Sequence, residues 1–263
     1  VMILAVDVGN SNTTVGLFNG TGELLFRALL ETSRSKTRDQ CAIELLGVFQ
    51  LYGADACTVD GAILSSVVPP LTTIFTDAIA RLTGIPPMVV GPGIRTGLNI
   101  KAEIHNQLGS DIVASSVAAI AKYPSPIVMV DMGTATSLSL IVGSVYEGCI
   151  IMPGLALALD ALSERAAALP PISIETASPV GLMGHTTEEA MRSGVLYGHA
   201  SMVDGMLERI EESIGQSVTT VATGGNAPRI LRYCKRPIQY DADLIMTGLY
   251  LLYQKNAKKY RKA

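Results

Sequence analysis

The chain has only four cysteines, Cys41, Cys57, Cys149 and Cys234, and they are widely scattered. No CxxC pair and no Cys/His cluster exists, which argues against structural zinc and against a disulfide framework. A reduced, cytoplasmic setting is the expectation. Charge is scarce too: 16% of residues are charged, 20 basic against 23 acidic, for a net charge of −3. That leaves no basic excess of the kind that nucleic acid favours. A disordered chain is excluded by the 48% apolar content. Long hydrophobic runs are missing. The longest uncharged run, Gly61 to Thr76, has sixteen residues and contains Pro69-Pro70, short of the ~20 apolar residues of a membrane-spanning helix. The opening VMILAVDVGNSN has no basic stretch and soon meets Asp7, so it does not read as a signal peptide. Tryptophan is absent and aromatics are 5%, whereas 25 glycines suit tight strand-to-loop turns around a ligand.

Several catalytic signatures are absent as well. There is no GxxxxGK[ST] and no GxGxxG, which excludes a P-loop enzyme and a Rossmann dehydrogenase. With no GxSxG and only His105, His185 and His199, a hydrolase triad has little support.

What is present is a weak internal repeat. At 263 residues the chain has room for one large domain or two smaller ones. Met2-Ile3-Leu4-Ala5-Val6 reads as a buried strand and runs into Asp7-Val8-Gly9-Asn10; Ile127-Val128-Met129-Val130 runs likewise into Asp131-Met132-Gly133-Thr134. A second β-rich run follows each motif, Thr13 to Phe18 and then Ser137 to Val142, closed by Asn19-Gly20 and by Gly143. Helical spacing marks Asp39 to Tyr52, Leu71 to Leu82, Ser110 to Lys122, Leu155 to Ala168, Thr187 to Ile214 and Asp243 to Lys259. Strands are expected at Gly61 to Val68, Met88 to Val90 and Val218 to Ala222. Alternating strands and helices imply an α/β fold. The duplication suggests two related halves, residues 1–122 and 123–263, facing each other across a central cleft.

The two Asp-x-Gly turns carry the chemical signal. A carboxylate at a strand end can hold a cation or orient water beside a phosphate chain, and the glycine admits phosphate to the backbone. Donors would be Asn10, Ser11, Asn12, Thr13 and Thr14 in the first turn, and Thr134, Ala135 and Thr136 in the second. Gly224-Gly225, just beyond a strand, suits close contact with a flat base or ribose. Together these turns point to nucleotide binding; the bland alternative is ordinary hairpin and cap glycines. Asp111 follows Gly109-Ser110 at the start of an apolar helix. It is either a first-turn carboxylate complementing the helix dipole or a base for a substrate hydroxyl in phosphoryl transfer.

The segment Asp7-Val8-Gly9-Asn10-Ser11-Asn12-Thr13 resembles the phosphate motif of type III pantothenate kinases. The likeness runs on through Thr32 to Phe49, Ser65-Ser66-Val67-Val68-Pro69, Gly91-Pro92-Gly93 with Thr96 to Ile100, Asp131 to Thr136, Gly148 to Gly154, Ala161-Leu162, Leu169-Pro170 and Thr223-Gly224-Gly225. The resemblance implies duplicated actin-like (ribonuclease H-like) halves, as in the acetate and sugar kinase, heat-shock ATPase and actin superfamily. It also implies a homodimeric enzyme that phosphorylates pantothenate with ATP in the first step of coenzyme A synthesis, using Mg²⁺ and a monovalent cation (K⁺ or NH₄⁺). Carried over by position, Asp7 would organise Mg²⁺ and the phosphates. Val8, Gly9 and the residues through Thr14 would line the ATP site with Thr134, Gly224 and Gly225. Asp131 would help hold the monovalent cation. Asp111 would be the base, and Gly109, Ser110, Ile112 and Thr187 would flank the substrate. The apolar stripe between Met191 and Ile210 is a second ground for the dimer.

The departures lie on the substrate side. Where the family reads like YDNPREVGADR, this chain has Ala102-Glu103-Ile104-His105-Asn106-Gln107-Leu108-Gly109-Ser110-Asp111-Ile112, so Ile112 replaces an arginine suited to a carboxylate. Ala166 also stands where the family often has threonine. Two alternatives follow: a kinase for another small hydroxyl compound, or a catalytically weak ATP-binding regulator of the same fold.

Overall fold

A computed structural model describes residues 1–101, 108–166, 168–174 and 180–260. The chain divides into two compact units, Val1–Lys122 with Asp243–Ala263, and Tyr123–Ala242.

The first unit begins with β1 (Ile3–Val8), β2 (Asn12–Phe18), β3 (Leu24–Glu31), α1 (Arg38–Leu51) and a single 3-10 turn (Ala56–Thr58). It continues with β4 (Gly61–Ser66), α2 (Pro69–Thr83), β5 (Met88–Val89), the two-residue β6 (Asn99–Ile100) and α3 (Ser110–Lys122). The sheet order is β3-β2-β1-β4-β5, antiparallel on the β2 side of β1 and parallel on the β4 side. All six residues of β1 are buried, as a strand covered on both faces requires; hence its unbroken apolar run. Alternation sends Leu4, Val6 and Val8 into one core with Leu45 and Phe49 of α1 and Phe75 and Ile79 of α2. Ile3 and Ala5 enter the opposite core with Ala114 and Val117 of α3. Thr37 caps α1 in a reciprocal capping box with Gln40.

The second unit holds β7 (Ile127–Met132), β8 (Ala135–Val142), β9 (Val145–Pro153), α4 (Leu155–Arg165), α5 (Thr187–Ile214), β10 (Thr219–Thr223), α6 (Ala227–Leu231) and β11 (Gln239–Tyr240). Its strands run β11-β10-β7-β8-β9, with the same pattern of parallel and antiparallel neighbours as β5-β4-β1-β2-β3. The repeat extends to an irregularity. Pairing slips between Leu17 and Phe18 in one hairpin and between Leu140 and Ile141 in the other. Each slip begins three residues beyond the strand partner of the motif aspartate, Thr14 for Asp7 and Ser137 for Asp131.

Three expectations need correction. The last helix, α7 (Leu244–Tyr260), was placed by the 123–263 boundary in the second half. It belongs to the first unit, because Met246, Leu249 and Leu252 complete the core over Ile3, Ala5 and Ile63. Gly248 lets α7 sit against Ala114 of α3: a Cβ there would lie 1.8 Å from the Ala114 carbonyl oxygen. The stripe on α5 packs inward. Met191, Val195, Val203 and Leu207 cover Val128, Val130 and Met132 of their own sheet, and of the stripe Met202 is exposed, so its buried residues give no ground for a dimer. Helix α4 ends at Arg165, short of Ala168, because Ala166 turns to an extended backbone.

Candidate active site

Asp7 occupies the penultimate position of β1 and is 9% exposed. Its register partners are Thr14 on β2 and Ser65 on β4. Asp7 alternates with Ile3 and Ala5, and Ser65 with Ile63, so both lie on the face that α3 and α7 cover. The N-terminus of α3 arrives at the same strand ends. The Ser110 hydroxyl lies 2.9 Å from the Ser65 hydroxyl, donates to the Ser66 carbonyl at 3.2 Å and accepts from the Ser66 amide at 3.2 Å. Asp111 is the next residue. Its carboxylate accepts the Ile112 amide at 2.8 Å. Burial pushes its carboxyl above the ordinary aspartate range, with the Ile112 amide pulling the other way. A Cβ on Gly109 would sit 2.3 Å from an Asp111 carboxylate oxygen, so a side chain there would displace that carboxylate. The structure thus brings Asp7, Thr14, Gly109, Ser110, Asp111 and Ile112 to one end of one sheet.

The turn after β1 is tight. The Gly9 amide donates to the Asn12 carbonyl at 3.0 Å, and a Cβ on Gly9 would fall 2.9 Å from that oxygen. Asn10, Ser11 and Asn12 are exposed at its tip, while Val8 and Thr13 are buried. The loop after β3 is hung on this turn. The Thr32 amide donates to the Ser11 carbonyl at 3.0 Å, and the Thr13 and Thr32 hydroxyls lie 2.9 Å apart.

The second unit repeats the device with more bracing. Asp131 has Ser137 and Thr223 as register partners. The Gly133 amide donates to the Ala135 carbonyl at 3.0 Å, and the Gly154 amide to the Thr134 carbonyl at 3.1 Å. Gly224 has φ +94, and a Cβ there would lie 2.6 Å from the Met132 carbonyl and 2.7 Å from the Asp131 carboxylate. Its glycine is therefore explained by the turn it packs on. Gly225, by contrast, has open space where a Cβ would go. The Asn226 side-chain amide donates to the Gly133 carbonyl at 3.2 Å. Behind the turn, Thr136 and His199 are buried and bonded, hydroxyl to Nε2, at 2.8 Å. Burial lowers the His199 pKa, so the ring is neutral near pH 7. Thr187 is exposed at the first turn of α5, whose N-cap is Thr186.

Residues Ala102 to Gln107, which carry most of the substrate-side departures, lie outside the described residues. Sequence reasoning gave no role to Ser65, Gly154 or Asn226. A serine pair closing the apolar strand Gly61–Ser66 was the available signal for Ser65; for Asn226 it was the polar residue after the glycine pair.

Comparison with known proteins places this geometry. The sequence profile described as Type III pantothenate kinase matches residues 3–209. A Type III pantothenate kinase of Exiguobacterium sp. is 39% identical over 258 residues, covering 98% of this chain and 100% of that protein. One from Geobacillus thermodenitrificans is 39% identical over 259 residues, covering 98% and 99%. Among solved structures, the (R)-2-hydroxyglutaryl-CoA dehydratase component A of Acidaminococcus fermentans matches with TM-score 0.59 at 13% identity over all of both chains. A ROK family glucokinase from Streptomyces griseus, in complex with glucose and AMPPNP, matches with TM-score 0.56 at 11% identity, covering 97% of this chain and 100% of that one. These distant likenesses show the fold, the duplicated actin-like α/β architecture. The profile match and the identity along nearly the whole length show more: the chain belongs to the type III pantothenate kinase family.

Proposed function

We propose that this protein transfers the terminal phosphoryl group of ATP to the primary hydroxyl of pantothenate, the first step of coenzyme A synthesis. The names of its relatives support the substrate pair. The observation that carries the reaction type is Asp111: a half-buried carboxylate of raised pKa, held by the Ser110 anchor at the strand ends where Asp7 stands.

In this reading Asp111 accepts the proton of the acceptor hydroxyl as its oxygen attacks phosphorus, and the raised pKa makes it a better base than an ordinary aspartate. The first turn, Val8 through Thr14, and Thr134 with Gly224 and Gly225 contact ATP. Gly109, Ser110, Ile112 and Thr187 border the acceptor.

The groups around Asp7 fit a hard cation, because the neighbouring side chains Thr14 and Ser65 offer only oxygen. No cluster of three metal-binding side chains exists among the described residues. An ion there would complete its shell with phosphate and water, as Mg²⁺ does. Asp7 would hold it, and the bound ion would neutralise charge on the phosphates. Asp131, with Ser137 and Thr223 beside it in register, is the corresponding place for a monovalent cation such as K⁺ or NH₄⁺. The family likeness supports a cytoplasmic homodimer; no described helix is long and apolar enough to cross a membrane.

Ile112 favours a second reading, a kinase for an uncharged hydroxyl compound, because isoleucine offers a carboxylate no donor. The test is ATP-dependent phosphorylation by the purified protein of pantothenate and a panel of small hydroxyl compounds, read by mass spectrometry. Phosphopantothenate is the expected product. Turnover of another compound alone selects the second reading, and no turnover at all refutes both.

A further inference from the structure

The turn Gly9–Asn12 offers amides and hydroxyls to a phosphate chain, but its strand contributes only the negative charge of Asp7, and the chain has no P-loop lysine. The nearby cations sit on the loop between β3 and α1, residues Thr32 to Thr37. Two of the three basic residues there or just beyond are already engaged. Lys36 donates to the Glu31 carbonyl at 2.6 Å and to the Glu44 carboxylate at 3.0 Å. Arg38 pairs with Asp39 at 3.1 Å. Arg34 has no carboxylate partner among the described residues. Among the described residues its one hydrogen bond is a long one, 3.5 Å, from Nη2 to the side-chain oxygen of Asn10 at the tip of the turn. The loop is tied to the same turn by the Thr32 amide and the Thr13–Thr32 hydroxyl contact, so Arg34 keeps its station relative to Gly9–Asn12.

We propose that Arg34 is a nucleotide-binding residue, the side chain whose guanidinium meets the polyphosphate of ATP at the first turn. A guanidinium has five N–H donors, and the bond to Asn10 uses one, leaving a fork suited to phosphate oxygens. The contact to Asn10 orients the side chain over the turn without neutralising it. The assignment rests on the ATP-dependent reading above and adds a cation that the phosphate motif itself lacks.

The test is calorimetric titration with MgATP of the parent protein, Arg34→Gln and Arg34→Lys, alongside thermal melts and steady-state kinetics. Arg34→Gln is expected to weaken MgATP binding roughly ten- to hundredfold, the range of a hydrogen bond between charged groups. Arg34→Lys should recover part of the loss, since it keeps the charge and loses the fork. The KM for ATP should rise while the KM for pantothenate stays. Because Arg34 is exposed, both variants should melt with the parent. Added salt should weaken MgATP binding more in the parent than in Arg34→Gln. A parent that binds MgATP and an Arg34→Gln variant that binds it within about twofold would overturn the Arg34 assignment alone. Equal salt dependence in the two proteins would do the same. A parent that binds no MgATP would overturn the kinase reading and this assignment with it.

Discussion

The hydroxyl oxygens of Ser65 and Ser110 lie 2.9 Å apart, and this contact fastens the helix that carries Asp111 to the strand that runs beside Asp7. Ser65 is fully buried. Removing its hydroxyl leaves Ser110 its bonds to the Ser66 backbone but frees the side of α3 nearest the base. Ser65→Ala should therefore cost about 0.5–1.5 kcal/mol of stability and lower kcat more than it changes MgATP affinity. Parallel measurements of kcat, MgATP binding and melting would check this. Loss of MgATP affinity with an unchanged kcat would show that the serine pair serves the nucleotide instead of the base.

Asp111 should trade activity against stability. Its carboxyl is raised by burial, so the folded state favours the protonated form. That contribution is fully present below the unfolded pKa of about 3.9 and is lost as pH rises through the folded pKa. At neutral pH the ionised group is a cost to the fold. Asp111→Asn should remove that cost, keep an acceptor for the Ile112 amide and melt at or above the parent temperature near pH 7, with the gap closing toward pH 4. Its kcat should fall roughly 10²–10⁴-fold, and the acid limb of the parent's kcat/KM profile should lie above the ordinary aspartate range. A variant that is destabilised at neutral pH yet fully active would contradict both halves.

Ile112→Arg separates the two substrate readings. If pantothenate is the acceptor, the new guanidinium gives its carboxylate a charged partner, and the KM for pantothenate should fall by about tenfold or more. If the acceptor is uncharged, the change leaves a cation without a partner and activity should drop. Steady-state kinetics with pantothenate and with any second compound found active would decide between them.

Gly224→Ala is a test of the second turn. The backbone there has φ +94, and the added methyl would press on the Met132 carbonyl and the Asp131 carboxylate. The strain of such a conformation is of order 1–3 kcal/mol. Gly225→Ala, with open space at its Cβ, should be far milder in denaturant melts. Equal effects at the two positions would mean that the turn relaxes freely.

Much of this was legible in the residue order. Helices α3 and α5 run over the spans their patterns predict, Ser110–Lys122 and Thr187–Ile214. For α5 the ends are marked locally, by the Thr186–Glu189 capping box and by Gly215 at φ 69. The two motif strands were visible because burial on both faces forces an apolar run that ends at the aspartate. Strands β3 and β9 were not visible. In Leu24–Glu31, Leu25 and Leu29 are exposed while Phe26 and Ala28 are buried, with Arg27 between them, so no clean alternation survives. In Val145–Pro153, Glu147-Gly148 interrupts the pattern. The Ser65–Ser110 contact needs the parallel register of β1 and β4, which no local pattern encodes. The allegiance of α7 could not be read either, because it depends on which core lacks a cover.

That allegiance has a consequence for the order in which the chain is made. The second unit, Tyr123–Ala242, is one continuous stretch, whereas the first is split around it. During synthesis the second unit can therefore finish folding while the first still waits for α7. Until Leu244–Tyr260 leaves the ribosome, the strand residues Ile3, Ala5 and Ile63 lack Met246, Leu249 and Leu252 above them. Strand β1 is thus sealed only after the whole of the second unit has been made, and a chain halted near Ala242 would carry a complete second unit while the first still lacked α7.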